Sequence, residues 1–121
     1  MDILFINPSI GSNYQKLGTK YSAVEPPTWI LLLANSMRKF NFKVSLIDVN
    51  AENLSQEETL SRIEKINPKI IIFVVYGQNV NAGTTNMEYA TQLSKYIKSK
   101  IRTCVGFIGS YVQALPKKTL E

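Results

Sequence analysis

Ile70-Ile71-Ile72-Phe73-Val74-Val75 decides the fold. It is a continuous apolar run, mostly β-branched, so both faces of the strand it forms must be covered. Such a strand belongs in the centre of a parallel sheet with helices on both sides. Immediately before it, Asn67-Pro68 stops a helix that begins at Ser55-Gln56-Glu57-Glu58. That opening is a capping box, in which Ser55 and Glu58 each satisfy the other's orphan N–H. Leu60, Ile63 and Ile66 give the helix its apolar stripe. Further upstream, Val44 to Val49 reads as a strand. Ile3 to Ile6 reads as another, ended by Asn7-Pro8. Between them Pro26-Pro27-Thr28 opens a helix, since Pro is tolerated in a first turn. Ile30, Leu33, Ala34, Met37 and Phe40 line one face of it. Arg38 and Lys39 place charge in its last turn, and Asn41 supplies a left-handed stop.

Downstream of the central strand, Thr85-Asn86-Met87-Glu88 reads as a second capping box. Met87, Ala90, Leu93 and Ile97 form the apolar stripe of the following helix. A weaker strand, Thr103 to Ile108, ends at Gly109. Strands alternating with helices predict an α/β, doubly wound, flavodoxin-like (Rossmann-like) open parallel sheet in the order 2-1-3-4. The usual fifth strand is missing. Tyr111 to Glu121 read as the start of a fourth helix behind Leu115-Pro116. The expectation is a single domain, residues 1–121, cut from a longer chain, with no internal repeat.

Composition narrows the chemistry. The 121 residues carry 14 Lys+Arg against 9 Asp+Glu, no His and one Cys. One Cys excludes a disulfide scaffold, and without His it excludes the usual Cys/His zinc sites. The Ser-His and Cys-His nucleophilic arrangements are also gone. Cys104, inside the last strand, reads as an inert buried thiol. Lys95, Lys98, Lys100, Arg102, Lys117 and Lys118 gather in the last third, mostly where a helix ends. They complement the helix dipole, and no aromatic-basic interleaving points to nucleic acid. Asp2 and Asn7 interrupt any signal-peptide core, and no apolar run is long enough to span a bilayer. The cytoplasm is the default compartment.

In an open α/β sheet, ligands sit at the carboxyl ends of the strands beside the switch point. Three loops meet there: Asn7 to Glu25, Gly77 to Thr84 and Gly109 to Leu115. The first is long for a strand-to-helix connection, and covers a ligand or is plain surface. It lacks both the Gly-x-Gly-x-x-Gly turn and the P-loop ending. The second is the most informative. Gln78, Asn79 and Asn81 supply neutral amides, Gly77 and Gly83 allow close backbone approach, and Thr84-Thr85 stand at a helix start. That pattern favours ligand contact over a simple cap. In the third, Gly109, Ser110 and Tyr111 leave a groove for something flat, or merely turn into the next helix. Asp48 ends the second strand without a glycine fingerprint beside it, so capping or loop hydrogen bonding is its expected use. Trp29 reads as packing under the first loop, as core.

Taken in order, Asn7-Pro8, Glu25-Pro26-Pro27 with Leu31-Leu32-Leu33-Ala34, and Val44-Ser45-Leu46-Ile47-Asp48 resemble the amino-terminal cobalamin-binding domain of radical SAM proteins. Tyr76-Gly77-Gln78 to Thr85-Asn86-Met87 and Gly109-Ser110-Tyr111-Val112-Gln113-Ala114-Leu115-Pro116 are similar to later signatures of that family. The resemblance covers essentially the whole chain. It implies a cobalamin (vitamin B12) held face-on at the carboxyl edge, its nucleotide tail entering between the first and third strands. Asn7, Pro8, Tyr76, Gly77, Gln78, Asn79, Thr84, Thr85, Gly109, Ser110 and Tyr111 would border it. The wider superfamily often carries Asp-x-His-x-x-Gly after the first strand, whose His ligates cobalt. Here the region reads Asn7-Pro8-Ser9-Ile10-Gly11-Ser12, without His.

Catalysis in that family belongs to a following barrel domain, which holds S-adenosylmethionine and a [4Fe-4S] cluster on three cysteines. One Cys cannot hold a cluster, so this chain would bind and shield the cofactor of a methyltransferase or cyclase. Two other readings stand beside it. One is the amino-terminal half of a two-domain glycosyltransferase, disfavoured by the missing glycine-rich loop near the first helix. The other is a stand-alone ligand-binding sensor or carrier.

Overall fold

The computed structural model describes residues 1–8, 28–75, 80–109 and 117, with side chains described except at 80–86. Four strands, β1 (Ile3–Asn7), β2 (Val44–Asp48), β3 (Ile70–Val75) and β4 (Cys104–Gly109), form one sheet. All three pairings are parallel and the order is β2-β1-β3-β4. The predicted sheet is the observed one. Helices α1 (Thr28–Lys39), α2 (Val49–Glu52), α3 (Gln56–Ile66) and α4 (Val80–Lys100) connect the strands.

The alternation of side chains along each strand splits the core into two layers. Leu4, Ile6, Ile47, Ile71, Phe73 and Val75 pack with α3 and α4, through Ile63, Met87, Ala90, Leu93 and Ile97. Ile3, Phe5, Val44 and Val74 pack on the other face with Ile30 and Ala34 of α1. Phe73 is fully buried and stacks on Phe107 with ring centroids 5.3 Å apart. Burial of each large side chain of this kind stabilises the fold by about 1.5–3 kcal/mol. β3, apolar on both faces, contributes to both layers, as its sequence requires.

The local signals act where the sequence places them. The Ser55 hydroxyl accepts from the Glu58 N–H (3.1 Å), and the Glu58 carboxylate accepts from the Ser55 N–H (2.8 Å). Asn41 and Asn67 adopt positive φ (66° and 51°), closing α1 and α3. Lys98 and Lys100 lie in the last turn of α4, exposed.

Five expectations are corrected. α4 begins at Val80, so Thr85 and Glu88 lie inside it and form no capping box. No proline interrupts residues 80–84, and Gly83 costs only about 1 kcal/mol within a helix. The helix therefore extends past the apparent cap. β2 stops at Asp48, and Val49 opens the four-residue α2 instead of ending the strand. Phe40 leaves the α1 stripe and is 69% exposed, because the helix ends at Lys39 and the chain turns through Asn41. Trp29 is 59% exposed in the first turn of α1 and so is not core, because the sheet-facing positions belong to Ile30 and Ala34; most of the first loop, expected to cover it, lies outside the described residues. Cys104 is exposed, since it opens β4, which has only β3 beside it among the described residues.

Candidate functional site

Parallel pairing brings the carboxyl ends of all four strands to one edge. In register, Asn7 of β1 stands beside Asp48 of β2, and Val75 of β3 beside Gly109 of β4. β1 and β3 are neighbours at the point where the strand order reverses, which makes their shared end the crevice of the sheet. Pro8, directly after β1, is buried.

The β1–β2 side of the crevice is held by one carboxylate. Asp48 Oδ1 accepts from Asn7 Nδ2 at 2.9 Å, a bond spanning 41 residues of chain. The same oxygen accepts from the Ala51 N–H at 3.0 Å, so Asp48 is also the N-cap of α2. The expected capping role of Asp48 is observed; its link to Asn7 was legible only once β1 and β2 are set in register. On the β3–β4 side the two backbones approach closely. Gly109 has φ +153°, and a Cβ there would fall 2.0 Å from the Val75 carbonyl oxygen. The small residue serves the meeting of the two strands.

The proposed contact residues are placed unequally. Asn7, Pro8 and Gly109 lie at the carboxyl edge. Thr84 and Thr85 lie on α4, but inside it, so the free N–H groups of that helix belong to the turn starting at Val80. Tyr76, Gly77, Gln78, Asn79, Ser110 and Tyr111 lie outside the described residues, as does most of the long first loop. A recess of about 170 Å³ among Ile63, Asn67, Ile101 and Arg102 lies at the opposite end of the sheet. It is smaller than the roughly 300–1,000 Å³ of ordinary ligand pockets.

Among the described residues no three His, Cys, Asp or Glu side chains group as a metal site. The chain has no His, and its one Cys begins β4 at the amino-terminal edge, about 16 Å of strand from Gly109. Among the described residues, the carboxyl edge therefore offers no donor set for a bare transition-metal ion. The neutral amide of Asn7 and the bare backbone at Gly109 suit a metal that arrives with its ligands already in a macrocycle.

These features define an open parallel α/β domain whose strand order reverses between β1 and β3. A family model described as B12 binding domain matches residues 14–121, and the chain belongs to that family. The match favours cobalamin over the glycosyltransferase reading. β1, with Asn7 and Pro8, precedes the matched span. No curated protein and no solved structure matches the chain. Among the described residues, no helix is long and apolar enough to cross a membrane.

Proposed function

We propose that this chain is the cobalamin-binding module of a radical SAM enzyme, most readily a methyltransferase, and holds the corrin over the carboxyl edge without a protein imidazole on cobalt. The family match over residues 14–121 carries the cobalamin part of this reading. The order of the motifs from Asn7-Pro8 to Leu115-Pro116, together with the absent His, supports the radical SAM part. Cobalamin supplies a cobalt centre able to carry a methyl group; the chain's own residues bind, orient and shelter it. Asn7, Pro8 and Gly109 would border the corrin from the strand ends. Tyr76 to Asn79, Thr84, Thr85, Ser110 and Tyr111 would border it from the loops and the first turns of α4. S-adenosylmethionine and its [4Fe-4S] cluster would belong to a downstream barrel domain in the same polypeptide.

The test is titration of the chain with hydroxocobalamin, followed by the visible spectrum and the melting temperature. Binding to the folded state alone raises stability by about 2.7 kcal/mol at a ligand concentration of 100 Kd. A saturable spectral change with a dose-dependent rise in Tm is expected. A folded chain that shows neither does not bind cobalamin, and the reading fails.

A further inference from the structure

Asp48 does more at the crevice than cap a four-residue helix. Its Oδ1 receives the Ala51 N–H from within its own segment and Asn7 Nδ2 from the end of the neighbouring strand. A carboxylate only accepts hydrogen bonds, whereas a carboxamide has a donating and an accepting end. Of the two ways round that the Asn7 amide can stand, Asp48 therefore admits only the one with the nitrogen toward it. The carbonyl oxygen must then lie on the side away from Asp48.

We infer that Asp48 is a positioning residue for the ligand. By fixing the Asn7 amide it presents the Asn7 carbonyl oxygen as a single acceptor at the crevice, suited to a neutral N–H donor. The inference rests on the cobalamin reading, and cobalamin fits it chemically, because the corrin rim carries uncharged carboxamide side chains whose N–H groups need acceptors. Without Asp48 the Asn7 amide turns freely and offers its donor and acceptor ends alike. Ordering it again on binding weakens the complex.

Asp48→Ser separates this role from helix capping. Ser is as good an N-cap as Asp, but its shorter side chain does not reach Asn7 across the strand pair. Hydroxocobalamin affinity is measured for the wild-type chain, Asp48→Ser, Asn7→Ala and the double variant, with Tm recorded for each. Asp48→Ser and Asn7→Ala are each expected to weaken binding by about three- to tenfold, the worth of one hydrogen bond. The double variant should be no weaker than Asn7→Ala alone, because Asp48 acts through Asn7. Wild-type affinity in Asp48→Ser, or losses that multiply in the double variant, overturns the inference. Asn7→Ala leaves the Asp48–Ala51 cap intact, so wild-type affinity in that variant overturns it even where Asp48→Ser melts early. A wild-type chain that fails to bind overturns the cobalamin reading and this inference together; one that binds with multiplying losses overturns this inference alone.

Discussion

Replacing Gly109 by Ala tests whether the β3–β4 end of the crevice is built as described. The added Cβ would sit 2.0 Å from the Val75 carbonyl oxygen and 2.9 Å from its carbonyl carbon. Both atoms are backbone of a fully packed strand, and Val75 is 1% exposed, so neither can move aside cheaply. The last residue of β4 must peel away from β3. Losing one ladder hydrogen bond costs about 0.5–1.5 kcal/mol. A side chain at φ +153° adds backbone strain, on the order of 1–3 kcal/mol for a sparsely populated conformation. Together these give a loss of about 2–4 kcal/mol, or roughly 8–15 °C in Tm for a domain of this size. Gly106→Ala is the control in the same strand. There the new Cβ would meet only Ile72 Cγ1, at 3.9 Å, an ordinary contact. Its Tm should stay unchanged or rise slightly, because Ala restricts the unfolded chain more than Gly does. Thermal unfolding by circular dichroism reads both. A Gly109→Ala chain melting within about 2 °C of wild type would refute the close approach and the strain argued from it.

Two further substitutions test the elements that hold the sheet. Ser55→Ala removes the acceptor for the Glu58 N–H and should cost about 1 kcal/mol, with faster hydrogen exchange at the Glu58 amide; unchanged exchange there would show that the capping box does not hold α3. Asp2 is held below its ordinary value of 3.8, chiefly by the Lys43 N–H and then by Lys69. A carboxyl lowered on folding stabilises the folded state above its unfolded-state pKa, and that stability is lost as pH falls through the folded value. Asp2→Asn should therefore melt below wild type at neutral pH, the gap closing below about pH 4. A gap independent of pH would refute the assignment.

Much of the fold was legible because its signals are local and redundant. Ile70 to Val75 is apolar on both faces, and only an interior parallel strand satisfies it. Ser55 and Glu58 meet each other across one turn, without help from the rest of the molecule. The errors arise where a pattern is permissive. Thr85-Asn86-Met87-Glu88 has the residues of a capping box, yet nothing before it prevents helix, and α4 takes the earlier start at Val80. Phe40 continues a periodicity that the backbone has already left at Asn41. Cys104 looks buried because its strand is apolar, but burial depends on what lies beside β4 and above its face. The Asn7–Asp48 bond escaped for a related reason. It joins residues 41 apart, and each alone reads as a strand end.

The two edges of the sheet are held together by different kinds of contact among the described residues. At the amino-terminal edge, Met1 and Asp2 are clamped between the approaches to β2 and β3. The Asp2 N–H donates to the Lys43 carbonyl, the Lys69 N–H to the Met1 carbonyl and the Ile70 N–H to the Asp2 carbonyl. The Asp2 carboxylate adds the Lys43 N–H at 2.8 Å and the Lys69 ammonium at 2.9 Å. Backbone and charge are thus committed to each other there. The carboxyl edge is joined differently. A side-chain bond, Asn7 to Asp48, ties β1 to β2, and a bare backbone approach, Gly109 on Val75, ties β3 to β4. Neither tie crosses from β1 to β3. The role proposed for Asp48 fits this arrangement: its carboxylate stands on β2, one strand away from the β1–β3 switch point, and reaches toward it through the Asn7 amide of β1.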